Sequence, residues 1–433
     1  MYRCHSIISW IHSLPAHAGS PPKGSRKRKR AQRQQHLTSP PDSDEMTSTP
    51  KKRRFDSADD AGDLDITPRP GADGSVSLSD TGSSIPSGAS SPRKQMLDLR
   101  LRDPGVEINA LDPNALPAAA RRLVTAMEDI GHRLEILPHA LESIIMEDVK
   151  ARDLARHQWR HSFKPPEEVD GLPGRIPTFK EVEKVCRKAS ECQQYSHEEA
   201  SWNSQVHLRL LDGIFEGPDG QCNDFNAMSC TTARLHRAFK PIWSPTKMID
   251  ICVYASTNQC ADLGAKISDF SRITPTATVN HTDFAPIGTR PLLLSIETKK
   301  PGVHWDAAQF QIGIWHASQW AFLRWAVAAK IRRQRIEGEA EAPQTQKEQD
   351  ELEAKALSIV SSLEFIPSVI VQGHRWHLVL STYEGGKTKL WADRQFGTTQ
   401  TCLETYSIIA GMRQLTAWAK DVYLPWFKTN VLD

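Results

Sequence analysis

The sequence lacks any apolar run long enough to cross a bilayer; the best candidate, around Trp320 to Ala329, is broken by Arg324. It also lacks a C-x-x-C pair. Its eight cysteines follow no regular spacing, which fits reduced thiols better than a disulfide framework. A zinc site has little to draw on beyond Cys222 and Cys230. No internal repeat is present, which excludes solenoids and propellers. Net charge is nearly absent too, at +2 formally, but that balance hides an asymmetry: basic clusters crowd the first sixty residues.

Large apolar residues are almost missing from 19 to about 95, where Pro, Ser, Gly, Asp, Lys and Arg dominate. Such a segment cannot bury enough surface to offset its ordering entropy, so residues 1–96 are expected to be a disordered leader. Arg26-Lys27-Arg28-Lys29-Arg30 and Lys51-Lys52-Arg53-Arg54 are dense enough to bind a nuclear import receptor or nucleic acid. A solubilising tail is the plainer alternative. Ile7-Ile8-Ser9-Trp10-Ile11 followed by Ala16-His17-Ala18 imitates a signal peptide, but its apolar part is too short. A short docking helix suits it better than secretion.

From 97 to 175 the pattern is that of a helical arm and a connection. Leu123, Met127, Ile130 and Leu134 recur at helical spacing, as do Leu141, Ile144, Ile145 and Val149. Pro and Gly crowd 163–175. Residues 176–433 alternate helical and strand patterns. Helices are expected over Thr178–Cys192, Glu198–Phe215, Asp306–Arg335 and Tyr406–Trp426. Strands are expected over Ile366–Val371, Trp376–Thr382 and Lys389–Asp393, the last two joined by a Gly385-Gly386 turn. Gly217 to Ser229 reads as a polar loop. Ser256 to Thr289 reads as an insertion or a functional flap.

The chemistry concentrates in Leu292-Leu293-Leu294-Ser295-Ile296-Glu297-Thr298-Lys299. An apolar strand has no packing reason to end on a carboxylate and an ammonium two positions apart, and i, i+2 residues share a face. A second apolar run, Lys247 to Tyr254, carries Asp250. A carboxylate inside an apolar run is costly unless a cation or a donor meets it. Glu199, three residues before Trp202, either looks toward the core edge or serves only as a solvated first-turn carboxylate. Lys300 is expected on the opposite face from Lys299.

The order of helix, strand with Asp250, strand with Glu297-Thr298-Lys299, helix and further strands resembles the PD-(D/E)XK nuclease superfamily, and more narrowly its fungal nuclease-like domain proteins. Glu199-Ala200-Ser201-Trp202-Asn203 with Val206-His207, Gln311-Ile312-Gly313-Ile314-Trp315, Gln372-Gly373-His374-Arg375-Trp376 and Tyr423-Leu424-Pro425-Trp426-Phe427 extend the match across about 175 to 433. The gap from Asp250 to Glu297 is long for that superfamily. The resemblance implies an α/β fold of the restriction-endonuclease type, a mixed central sheet flanked by helices. It further implies Mg²⁺ (or Mn²⁺) on Asp250 and Glu297, with the Thr298 carbonyl beside them. Lys299 would position the attacking water. Glu199 would be a further ligand or support, and Gln311 would hold substrate or water. His207 and His374 would pack and hydrogen-bond. The implied activity is hydrolysis of DNA phosphodiesters, and the basic clusters would carry it to the nucleus. A catalytically silent nucleic-acid-binding module is the alternative, and a secreted effector a third.

Overall fold

The computed structural model describes residues 92–102, 105–217, 224–241, 249–256, 261–337 and 345–433. Both basic clusters, Ile7 to Ile11, Cys222, Lys247 and Met248 lie outside them. Strands β1 (Val106–Ala110), β2 (Phe225–Ser229), β3 (Ile251–Ala255), β4 (Leu292–Lys299), β5 (Ile366–Gln372), β6 (Arg375–Glu384) and β7 (Lys387–Thr398) form one sheet in the order β1-β7-β6-β5-β4-β3-β2. β1/β7 and β4/β5 run parallel, and the other neighbours antiparallel. Around the sheet lie α1 (Pro92–Leu101), α2 (Ala118–Gly131), α3 (Glu142–Ala151), α4 (Phe179–Gln194), α5 (Glu199–Trp202), α6 (Leu208–Phe215), α7 (Ala261–Ile273), α8 (Trp305–Glu337), α9 (Gln346–Ser361), α10 (Cys402–Trp418) and α11 (Leu424–Phe427).

Alternation along the strands builds one core on each face. Val253, Leu294, Ile296, Val369, Val371 and Leu378 pack with α2, α4, α6 and α10. Cys252, Tyr254, Ile370, Val379 and Leu390 pack with the first half of α8, through Phe310, Ile312, Ile314 and Trp315. A parallel pair needs a crossover, and α8 with α9 supplies it between β4 and β5. That connection puts the ends of β4 and β5 side by side. Thr178 and Thr345 start α4 and α9 with reciprocal capping boxes, each closed by a Glu three residues on. Gly385 and Gly386 both take positive φ in the β6–β7 turn, as a tight hairpin requires.

Three segments differ from the sequence reading. Val106–Ala110, inside the expected helical arm, pairs with β7 as an edge strand, and α2 packs on β7. Phe225–Ser229, inside the expected polar loop, pairs with β3. Both are five-residue edge strands, too short to outvote the polar residues around them. The third, read as an insertion or a functional flap, is described at 256 and over 261–289 and carries a helix that its pattern did not show. It holds α7, followed by a turn in which Thr274, Thr276, Thr278, Asn280 and Thr282 are buried and bond one another or the backbone. Past Ile273 these polar groups are satisfied locally, so that part of the segment needs no apolar periodicity. Cys230 is buried with its sulfur 2.7 Å from that of Cys252. Among the described residues no helix is long and apolar enough to cross a membrane.

Candidate active site

β4 carries its apolar residues into the two cores until Glu297, which is wholly buried, and then emerges at Lys299. The period of two holds at this end: Lys299 Nζ donates to Glu297 Oε1 at 2.5 Å and to the Thr298 carbonyl at 2.8 Å. Asp250, half-buried just before β3, sits opposite. Its Oδ2 accepts from the Thr298 backbone N–H (2.8 Å) and from Thr298 Oγ1 (3.0 Å). Cross-strand pairing thus brings the second carboxylate to the end of β4 despite the long intervening chain. Its tether is the backbone of the triplet's middle residue.

Glu199 is the first residue of α5, and its Oε2 comes within 3.7 Å of Lys299 Nζ. Glu199 is half-buried and turned toward Lys299 rather than fully solvated. Gln311 lies half-buried in the second turn of α8, the helix that follows the β4 end. Lys300 differs from its expected place. Strand alternation ends at Lys299, and the Lys300 ammonium pairs with Glu198 at 2.8 Å, beside the same α5 terminus.

Burial governs the electrostatics. It pushes the Glu297 carboxyl well above the usual carboxylate range, and the neighbouring Asp250 charge adds to the rise. Glu199 is raised for the same two reasons, against the pull of Lys299. For Lys299 burial works downward, but the Glu297, Glu199 and Asp250 carboxylates outweigh it and the ammonium holds its proton more tightly than usual. Glu297 Oε2 is buried with no hydrogen-bond partner. A buried carboxylate oxygen left bare is costly and calls for a cation.

Among the described residues no three His, Cys, Asp or Glu side chains close around a point as a ready metal cage. Instead the Lys299 ammonium lies among Glu297, Glu199 and the Thr298 carbonyl, as a cation would. The donor set is all oxygen, which suits Mg²⁺ or Mn²⁺ and excludes soft-metal sites. Asp250, Glu297 and the Thr298 carbonyl are the oxygen donors that such an ion would find here.

The wall of the site comes from the β5–β6 turn. Gly373 N–H donates to the Lys299 carbonyl (2.9 Å), and the Gly373 carbonyl accepts from His207 Nε2 (3.1 Å). Gly373 has φ +57, and a Cβ there would meet Pro301 Cγ at 2.5 Å, so only glycine fits. His207 lies in the π-helical turn Asn203–His207 that continues α5. Its ring stacks on Trp202 and meets Trp376 edge-on. Burial lowers its pKa to about 4, so it is neutral and structural. His374 likewise bonds Thr399 Oγ1 (2.8 Å) and packs on Trp202. Sequence reasoning named these residues without their connection: one hydrogen-bonded path runs from α5 through Gly373 to Lys299.

A comparison with family models matches residues 144–424 to the PD-(D/E)XK nuclease superfamily. Comparisons with curated proteins and with solved structures return no match. The matched span holds Glu199, Asp250, Glu297, Lys299 and every strand but the β1 edge, and the chain belongs to the PD-(D/E)XK nuclease superfamily.

Proposed function

We propose that this chain is a metal-dependent phosphodiesterase that hydrolyses DNA. The observation that carries the reading is the bare, fully buried Glu297 Oε2 beside the Asp250 carboxylate. Asp250 and Glu297, with the Thr298 carbonyl, are the residues to hold Mg²⁺ or Mn²⁺. Bound there, such an ion would lower the pKa of a water and offset negative charge developing at the phosphate. Lys299, released from Glu297, orients the attacking water and sets a point charge beside the scissile phosphate. Glu199 keeps Lys299 on the site side of β4, and Gln311 holds substrate or water from α8. The alternative is a nucleic-acid-binding module without turnover. The closed Lys299–Glu297 pair favours it, because that pair already neutralises the buried carboxylate.

The basic clusters Arg26 to Arg30 and Lys51 to Arg54 extend the proposal to nuclear import through a receptor. Neutralising both should shift a fluorescent fusion out of the nucleus. A fusion that is cytoplasmic from the start contradicts the import reading.

Incubating the full chain with plasmid and oligonucleotide DNA tests the activity. Cleavage is expected with Mg²⁺ or Mn²⁺ and not with EDTA. DNA binding without cleavage in every metal would favour the silent module.

A further inference from the structure

β7 has more residues than β6 can pair. Val379 pairs with Ala392 and Leu378 with Arg394, which leaves Asp393 bulged out between them. Phe396 is skipped in the same way one turn of the ladder on. Asp393 holds φ +98, a conformation that side chains other than glycine rarely adopt. The bulge aims the exposed Asp393 carboxylate at a buried ring: its Oδ1 accepts from His377 Nδ1 at 2.6 Å. His377 is 8% exposed, and its Nε2 is buried with no partner. The ring of Trp305, the first residue of α8, lies over it at 4.8 Å between centroids.

The sheet register places this pair. Glu297 pairs with Ile370, and Ile370 with His377. Directly opposed residues share a face, so His377 projects on the same side as Glu297, two strand spacings or about 10 Å away. A carboxylate on Nδ1 fixes the tautomer that leaves Nε2 free to take up and give back a proton. A strained, bulged Asp, an unpartnered Nε2 and a shared row with Glu297 meet at this one ring.

We propose that His377, oriented by Asp393, is the general acid of this centre and protonates the leaving strand's oxygen. The proposal rests on the nuclease reading above. In the step, the water oxygen bonds to phosphorus and gives up one proton to solvent as the phosphorus–leaving-oxygen bond breaks. The bonding pair stays on the leaving oxygen, which takes the proton from His377 Nε2. The neutral ring keeps its Nδ1–H bond to Asp393, and Nε2 regains a proton from the water that enters as the products leave.

The test compares two substrates in Mn²⁺ with the full chain: an oligonucleotide, whose alkoxide leaving group needs a proton, and bis(4-nitrophenyl) phosphate, whose phenolate does not. His377→Ala is expected to slow oligonucleotide cleavage about 10²-fold or more and aryl diester cleavage less than about threefold. Asp393→Gly relieves the positive φ, so it should keep or raise Tm while losing oligonucleotide cleavage selectively. Parallel losses on both substrates, no loss in His377→Ala, or wild-type oligonucleotide rates in Asp393→Gly would each overturn the assignment alone. Failure of the wild-type chain to cleave either substrate would overturn the nuclease reading, and this assignment with it.

Discussion

Two buried polar clusters hang from the same strand, two residues apart on one face. At Ser295 the hydroxyl meets His316 Nε2 (3.2 Å) and Ser368 Oγ (3.1 Å). His316 Nδ1 meets Ser381 Oγ (2.8 Å), which also accepts from Trp320 Nε1 (2.9 Å). Both ring nitrogens of His316 are used. At Glu297 one oxygen pairs with Lys299 and the other has nothing. A satisfied polar cluster specifies a core, whereas a half-satisfied one carries a penalty that a ligand can relieve. The same strand therefore holds architecture at Ser295 and, on the proposed function, a site at Glu297.

The comparison breaks hardest at Lys299. If it works beside the metal, Lys299→Ala should lower DNA cleavage about 10²- to 10⁴-fold, with DNA binding largely kept, because the loss falls on the transition state. Gel-shift and single-turnover assays on one preparation separate the two. Equal losses of binding and cleavage would reduce Lys299 to a member of a basic patch.

His316 tests the other cluster. His316→Ala should destabilise by about 3 kcal/mol, from lost volume and stranded Ser295 and Ser381 hydroxyls, and leave the turnover of folded protein unchanged. Acid does the same work. Burial holds the His316 pKa at about 3, below its ordinary 6.5, so the folded state excludes the charged ring. Its contribution is full above pH 6.5 and is lost as pH falls toward 3; His207 and His281 titrate in the same direction. Glu297 has the opposite sign: its folded pKa is raised, so its protonated form favours folding at low pH and that benefit is lost as pH rises above 4.5. Glu297→Gln should accordingly stabilise the metal-free chain by about 1–2 kcal/mol at pH 7 while abolishing turnover. Denaturant unfolding at pH 7 and pH 4 measures both variants, and a destabilised Glu297→Gln would refute the penalty.

The strand ending in Glu297 and Lys299 was legible because hydrophobic alternation and the i, i+2 rule are local. So were the Gly385-Gly386 turn and the long α8. Asp250 was legible as an odd charge in an apolar run, although the strand starts only after it, at Ile251. The edge strands were not, since β1 and β2 owe their shape to β7 and β3 rather than to their own residues. Nor was the path from His207 through Gly373 to Lys299, which joins residues remote in sequence. Lys300 escaped because alternation predicts direction only while the strand lasts. Its pair with the exposed Glu198 lies near the surface, so Lys300→Ala should change stability by less than about 0.5 kcal/mol and cleavage little. A loss matching that of Lys299→Ala would erase the distinction between neighbours.

The central claim is that the buried Glu297 and the half-buried Asp250 wait for a divalent cation. Titrating Mn²⁺ by calorimetry, in two buffers of different ionisation heat, tests it directly. The wild-type chain should bind with proton release and more tightly as pH rises, because binding requires Glu297 ionised. Asp250→Ala should keep its fold and lose that binding. Equal Mn²⁺ affinity in the two proteins, or no binding in the wild type, would contradict the account.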